Sequence, residues 1–145
     1  MQNTSGVHVW LVLGKAFRAL ATSAEESLNL SGTGLGDSEF RVLEVLLHRG
    51  SLPVNTIGPK VWLTPGSISV AIDRLERKAL VKRRNTDDRR VRLVELTAKG
   101  HALITRTFRE HAAVMEEAAA ILSKEERLAL LQLLKKLGKG AEAES

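Results

Sequence analysis

Apolar residues recur at helical spacing over most of this chain. Trp10, Leu13, Phe17, Leu20 and Ala24 follow at steps of three and four, which predicts a helix over about residues 7–30 with a heptad-like stripe. Ser31-Gly32-Thr33-Gly34-Leu35-Gly36 ends it, because closely spaced glycines hold a helix poorly. Asp37 is placed to cap a second helix, with Phe40, Leu43, Leu46 and Leu47 as its buried face and Gly50 as its stop. Pro53 suits the first position of a short third helix, where Ile57 and Val61 face inward. Pro59 kinks that helix or limits it to about two turns. Trp62, in the following turn, is expected to anchor the core. Thr64 caps a fourth helix with Pro65 at its first position, and Ile68, Ile72 and Leu75 make its core face.

The period then changes. Residues 81–84 and 91–96 read as two strands joined by the polar turn Asn85-Thr86-Asp87-Asp88. Thr97 caps a long helix with the seam Ile104, Phe108, His111, Met115, Ala118 and Leu122. Ser123-Lys124-Glu125-Glu126 is a capping box opening a last helix, striped by Leu130, Leu134 and Leu137. Residues 138–145 read as a flexible polar tail. The fold class is therefore mainly α with a small β-hairpin wing. A winged helix-turn-helix (36–98) is flanked by helical ends (7–31 and 99–137) in one domain spanning 7–137. The end helices carry more apolar stripe than one domain this size can cover. A second copy would cover it, which makes them dimerisation helices of a homodimer.

Composition narrows the chemistry. There is no cysteine, which excludes disulfides, zinc–thiolate sites and thiol redox sensing. No apolar run approaches the ~20 residues of a membrane helix, and no export signal opens the chain, so a cytoplasmic protein without a membrane partner is expected. The four histidines have no metal spacing. The chain has no Gly-x-Ser-x-Gly elbow, and its glycine-rich stretch lacks a phosphate-binding lysine, so no catalytic residue, metal or cofactor is expected. The pI of about 9.9 favours a polyanionic partner. That charge is local: residues 73–92 hold nine basic and four acidic residues, an excess equal to the +5 of the whole chain. Within it Asp73 stands four residues before Arg77, the spacing of a helical ion pair.

Three separated signatures carry a resemblance. Leu63-Thr64-Pro65-Gly66-Ser67-Ile68-Ser69 runs on to Ile72-Asp73-Arg74-Leu75-Glu76-Arg77-Lys78-Ala79-Leu80-Val81. Asp87-Asp88-Arg89-Arg90-Val91 follows, and then Leu96-Thr97-Ala98-Lys99-Gly100. In this order they resemble the MarR family of bacterial transcription regulators, over roughly residues 11–137. The resemblance implies a triangular homodimer binding a pseudo-palindromic operator in double-stranded DNA. It also implies release by a small aromatic or phenolic effector seated between the dimerisation and DNA-binding regions. Phe40-Arg41-Val42-Leu43-Glu44-Val45-Leu46, with Gly66-Ser67-Ile68, is more similar to members that answer quinones and other phenolic electrophiles. Two positions depart from the family pattern: Val70, where a polar or basic residue is common, and Pro59.

A reading helix enters the major groove N-terminus first, so Pro65, Gly66, Ser67 and Ser69 would reach base edges. Val70 would meet a thymine methyl or read nothing. Thr64 and the helix N–H groups suit a phosphate, Arg74 a phosphate or guanine, and Arg77 and Lys78 the backbone. The resemblance gives Asp88 the orienting of Arg90, with Arg89 or Arg90 as the tip that enters the minor groove. Trp10, Phe17, Phe40, His111 and Met115 are candidates for an effector pocket, against core or interface packing. The expected function is a homodimeric, sequence-specific DNA-binding regulator, a repressor released by an aromatic effector. Its rivals are a non-specific architectural DNA-binding protein and a winged-helix module for protein–protein assembly.

Overall fold

The computed structural model describes residues 2–138. The expected tail at 139–145 lies outside them, and Gly138, read as its first residue, instead ends the last helix. The elements are α1 (Gly6–Leu30), α2 (Asp37–Arg49), β1 (Leu52–Pro53), α3 (Val54–Val61), α4 (Pro65–Arg77), β2 (Val81–Asn85), β3 (Arg92–Leu96), α5 (Ala98–Ala119) and α6 (Lys124–Gly138).

The caps that define most of these boundaries are made as their residue types allow. Thr64 Oγ1 accepts from the Ser67 N–H at 3.2 Å, and Thr97 Oγ1 from the Gly100 N–H at 3.0 Å. At the head of α6 the box is reciprocal: Ser123 N–H donates to Glu126 at 2.7 Å, and Glu126 N–H to Ser123 Oγ at 3.1 Å. Asp37 does not cap α2. Gly36 holds that position and Asp37 is the first helical residue, turned to Arg41 at 2.8 Å. There it keeps an acid in the first turn, where the helix dipole favours one. Pro53 sits one position earlier than expected, as the N-cap of α3 and the end of β1. Pro59 lies in the last turn of α3, so the helix is short and stops at Val61.

β1 adds a strand that the periodicity missed. The sheet is antiparallel in the order β1-β3-β2, with Leu52 opposite Val94 and Val81 opposite Leu96. Val81 and Val94 point from it into a core made by Phe40, Leu43 and Leu46 of α2, Ile57 and Val61 of α3, Ile68, Ile72 and Leu75 of α4, and Ile104 of α5. Trp62 is absent from that core. It is 76% exposed, at a backbone φ of +57°.

The turn after α4 ties the layers together. The Ala79 N–H bonds the Glu76 carbonyl and the Leu80 N–H the Leu75 carbonyl, both at 3.0 Å, while Leu75 and Leu80 are buried. This is a Schellman closure, and its left-handed position is held by Ala79 at φ +58° where glycine would be unstrained. α5 starts against the same turn. Thr97 Oγ1 donates to the Ala79 carbonyl at 2.7 Å and the Thr97 N–H to the Leu80 carbonyl at 3.1 Å. Lys99 Nζ donates to the Lys78 carbonyl at 3.1 Å. Gly100 lies so close to Leu80 that a methyl group on it would overlap the Leu80 carbonyl.

Beyond this body the end helices stand apart. Ser27 and Leu28 of α1 are buried against the rest, but residues 2–20 are exposed at every position. α6 buries none of its residues, and Leu128, Leu131, Leu133 and Leu137 are each more than half exposed.

Two single substitutions at the turn are expected to act in opposite directions. Gly100→Ala should lower the unfolding free energy by about 2 kcal/mol through backbone overlap, and Ala79→Gly should raise it by about 1 kcal/mol by relieving the left-handed strain. Urea denaturation reads both, and midpoints moving together would refute the geometry of the junction.

Candidate nucleic-acid interface

α4 presents a small, nearly neutral N-terminus. Thr64, Pro65, Gly66, Ser67 and Ser69 are exposed, and Val70 is 50% exposed. The hydroxyls are partly committed: Thr64 Oγ1 accepts the capping bond and donates to Ser67 Oγ at 3.0 Å. Ser67 keeps its proton to donate, whereas Thr64 is occupied as a cap.

Grooves flank the helix on two sides. One, of about 400 Å³, is walled by Gly66, Ser67, Val70 and Arg74 against Asp37, Ser38 and Glu39 of α2. The other, of about 640 Å³, is walled by Pro65 and Ser69 against Arg89, Arg90 and Arg92 of the wing and Asn55 of α3. The reading helix and the wing tip thus share a cleft, as a surface that spans two grooves of a duplex requires.

The cations of the basic segment divide sharply. Arg83 on β2 is held by two acids of α4, with Nη2 at 2.8 Å from Asp73 and Nη1 at 2.9 Å from Glu76. Its hydrogen bond to Asp73 and the field of Glu76 outweigh desolvation and raise its pKa above the ordinary guanidinium value. Asp73 therefore pairs with Arg83 across two elements and not with Arg77 one turn away. Lys78 is also engaged: Nζ lies 2.6 Å from Glu39, a buried carboxylate, and 3.2 Å from the Gly34 carbonyl. Of the expected backbone cations it is the one already spent on the fold. At the wing root, Glu95 takes Lys82 at 3.3 Å, Arg84 at 3.4 Å and the Ser51 hydroxyl at 3.2 Å. Desolvation pushes the Glu95 carboxyl upward, but these partners outweigh it and leave the pKa lowered.

Arg74, Arg77 and Arg89 are exposed and make no ion pair among the described residues. Asp88 meets Arg90 mainly through the main chain. Its Oδ1 accepts the Arg90 N–H at 3.0 Å, while the guanidinium stands off at 3.9 Å and the side chain is 94% exposed. The Asp88 carbonyl takes the Thr86 hydroxyl at 2.8 Å and the Val91 N–H at 2.9 Å. Asp88 thus shapes the turn that carries Arg89 and Arg90, and leaves both guanidinium groups outward.

The effector candidates separate into two sets. Phe40 and His111 pack at 4.9 Å between ring centres, and His111 Nδ1 faces Ser27 Oγ of α1 at 3.5 Å. Phe108 joins them, 6.4 Å from His111 and 4.7 Å from His48. Met115 is half-buried one turn further along α5. Trp10 and Phe17 lie on the exposed first half of α1, 74% and 55% accessible. None of the five lines either groove beside α4.

Sequence reasoning missed Arg83, whose partner acids suggested only a helical pair, and Phe108 with His48, which needed the packing of α5 on α2 to meet. If Arg83 ties the wing to α4, a double-mutant cycle of Arg83→Met with Asp73→Asn should return a coupling of about 1 kcal/mol, modest because both groups touch water. Additive effects in thermal denaturation would show that the pair holds nothing.

The family model for the MarR family matches residues 35–91, the run from the start of α2 to the wing tip. The HTH-type transcriptional regulator MhqR of Bacillus subtilis (strain 168) is 36% identical over 134 residues, covering 92% of this chain and 91% of that protein. The HTH-type transcriptional repressor MdtR of the same organism is 30% identical over 137 residues, covering 94% of this chain and 87% of its own length. Among solved structures, that of NadR in complex with 4-hydroxyphenylacetate superposes with a TM-score of 0.77 at 26% identity, over 94% of this chain and 99% of that one.

Proposed function

The chain belongs to the MarR family of transcription regulators, and from that premise we propose that it is a homodimeric, sequence-specific repressor released by a small phenolic or aromatic effector. One observation carries the DNA-binding part: the uncharged N-terminus of α4 shares a cleft with a wing tip whose arginines project into solvent. In the proposed complex Pro65, Gly66, Ser67 and Ser69 lie along base edges, Val70 against a thymine methyl, and Arg74 and Arg77 on phosphates. Arg89 or Arg90 enters the minor groove, held at the correct angle by the Asp88 turn. Lys78 is left out of this set, because its ammonium is committed to Glu39.

The dimer reading rests on the first half of α1 and on α6, whose apolar side chains lie largely open to water. Such a surface is larger than a lone domain leaves exposed without a partner. The effector reading rests on the rings of Phe40, His111 and Phe108, which lie where α2 of the DNA-binding lobe meets α5, beside Ser27 of α1. It is supported by the phenolic acid bound to the NadR relative. On a second chain, Trp10 and Phe17 would complete the lining.

Fluorescence anisotropy with duplexes selected from a random pool tests the whole reading. Sedimentation equilibrium should return twice the chain mass of 15.9 kDa. Arg90→Ala should weaken operator binding by more than about tenfold at unchanged mass. Simple phenolic acids should release the wild type but not His111→Ala. Equal affinity for selected and random duplexes would favour an architectural protein, and no binding at low salt an assembly module.

A further inference from the structure

We propose that Trp62 is a DNA-backbone contact, its indole lying against the sugar–phosphate strand at the edge of the groove that α4 enters. The proposal rests on the DNA-binding reading above and adds to it a residue that reads no bases. Trp62 is 76% exposed although it lies two residues before the Thr64 cap, beside the core that its neighbours Val61 and Leu63 help to build. An indole left in water gains nothing in the free protein. Its backbone is also in the left-handed region at φ +57°, unfavourable for a bulky side chain.

The turn that imposes this conformation is fixed from both sides. Arg41 Nη1 donates to the Val61 carbonyl at 3.1 Å, and Nη2 is held at 2.8 Å by Asp37. The Leu63 N–H bonds the Gly58 carbonyl at 3.2 Å, and Gly58 is buried so closely that a Cβ there would meet the Leu63 carbonyl at 3.2 Å. The indole is therefore aimed outward by a rigid turn. It borders a groove of about 360 Å³ that also holds the cations Arg41, Arg49 and Lys60, the imidazole of His48 and one acid, Glu44. Exposed aromatic, indole N–H and surrounding cations suit a deoxyribose face and its phosphate oxygens. Trp62 caps the end of α3 three residues before α4 begins, which sets it near the N-terminus that the proposed complex places in the groove.

The chain has two tryptophans, so Trp10→Phe leaves Trp62 as the sole indole emitter. Titrating this variant with duplex, while a labelled duplex reports binding by anisotropy, should change the Trp62 emission and reduce acrylamide quenching severalfold over the same concentrations. Binding seen by anisotropy with emission and quenching unmoved overturns the proposal alone, whereas absence of binding by the wild type as well as the variant overturns it together with the DNA-binding reading. Trp62→Gly, which suits φ +57°, should leave the melting temperature equal or higher and weaken binding about fivefold on selected and random duplexes alike, since a backbone contact carries no sequence information. A loss confined to the selected duplex, or a change in oligomeric mass, would overturn it.

Discussion

Leu80 is shared by three elements, and the rest of the architecture depends on how closely they meet there. Its N–H closes the end of α4, its carbonyl receives the first N–H of the α5 cap, and its side chain enters the core one residue before β2 begins. Backbone packs on backbone at Gly100, with no flexible side chain between to absorb a shift. Interiors packed this way transmit displacement and do not cushion it. A movement of α5 relative to α2, where the Phe40 and His111 rings meet, must therefore carry the wing root and the end of α4 with it. That is the physical link an effector-controlled regulator needs: two arrangements of packed elements that both sites can bias.

The positive charge of the segment from Asp73 to Arg92 serves two purposes that its sum conceals. Arg83 and Lys78 are tied to acids of other elements and set the angle of the wing on α4 and of α4 on α2, while Lys82 and Arg84 pair with Glu95 within the sheet. Arg74, Arg77, Arg89 and Arg90 point outward. The first group stabilises a shape and the second offers charge to a polyanion. Salt should weaken them unequally, because the inner pairs are partly shielded from the ions that screen the outer ones.

What could be read in the sequence is what is settled within four residues. The Thr64, Thr97 and Ser123 caps are local hydrogen bonds, and each was legible from its residue and spacing. The apolar periods of α2, α4 and α5 were legible for the same reason. Asp37 was misread by one position because Gly36 and Asp37 both satisfy a helix start, and the pairing to Arg41 settles which is inside. β1 has two residues, too short for any period, and exists only because β3 offers it an edge. The bond of Asp73 to Arg83 and of Lys78 to Glu39 joins separate elements, so helical spacing pointed at the nearer Arg77 instead. Trp62 was misplaced because composition makes tryptophan a core residue, while the turn that Arg41 and Gly58 enforce leaves its side chain no inward path.

These placements bear on how an operator would be told from other DNA. The hydroxyl of Thr64 is used within the cap, and Ser67 retains its proton and one acceptor position, so the first turn of α4 offers few directional groups to base edges. In the proposed complex Val70 would add an apolar contact that distinguishes a thymine methyl from little else. Each such contact discriminates weakly, because a serine accepts several bases and a methyl contact is small. In the proposed complex the wing arginines would respond to minor-groove width and potential, which vary with sequence over several base pairs. The angle between α4 and the wing would then be a reader in its own right: in the proposed complex a duplex would fit best where its two grooves present the spacing that Arg83, Asp73 and Glu76 favour. In the proposed complex, part of the selectivity would then reside in an ion pair that touches no DNA.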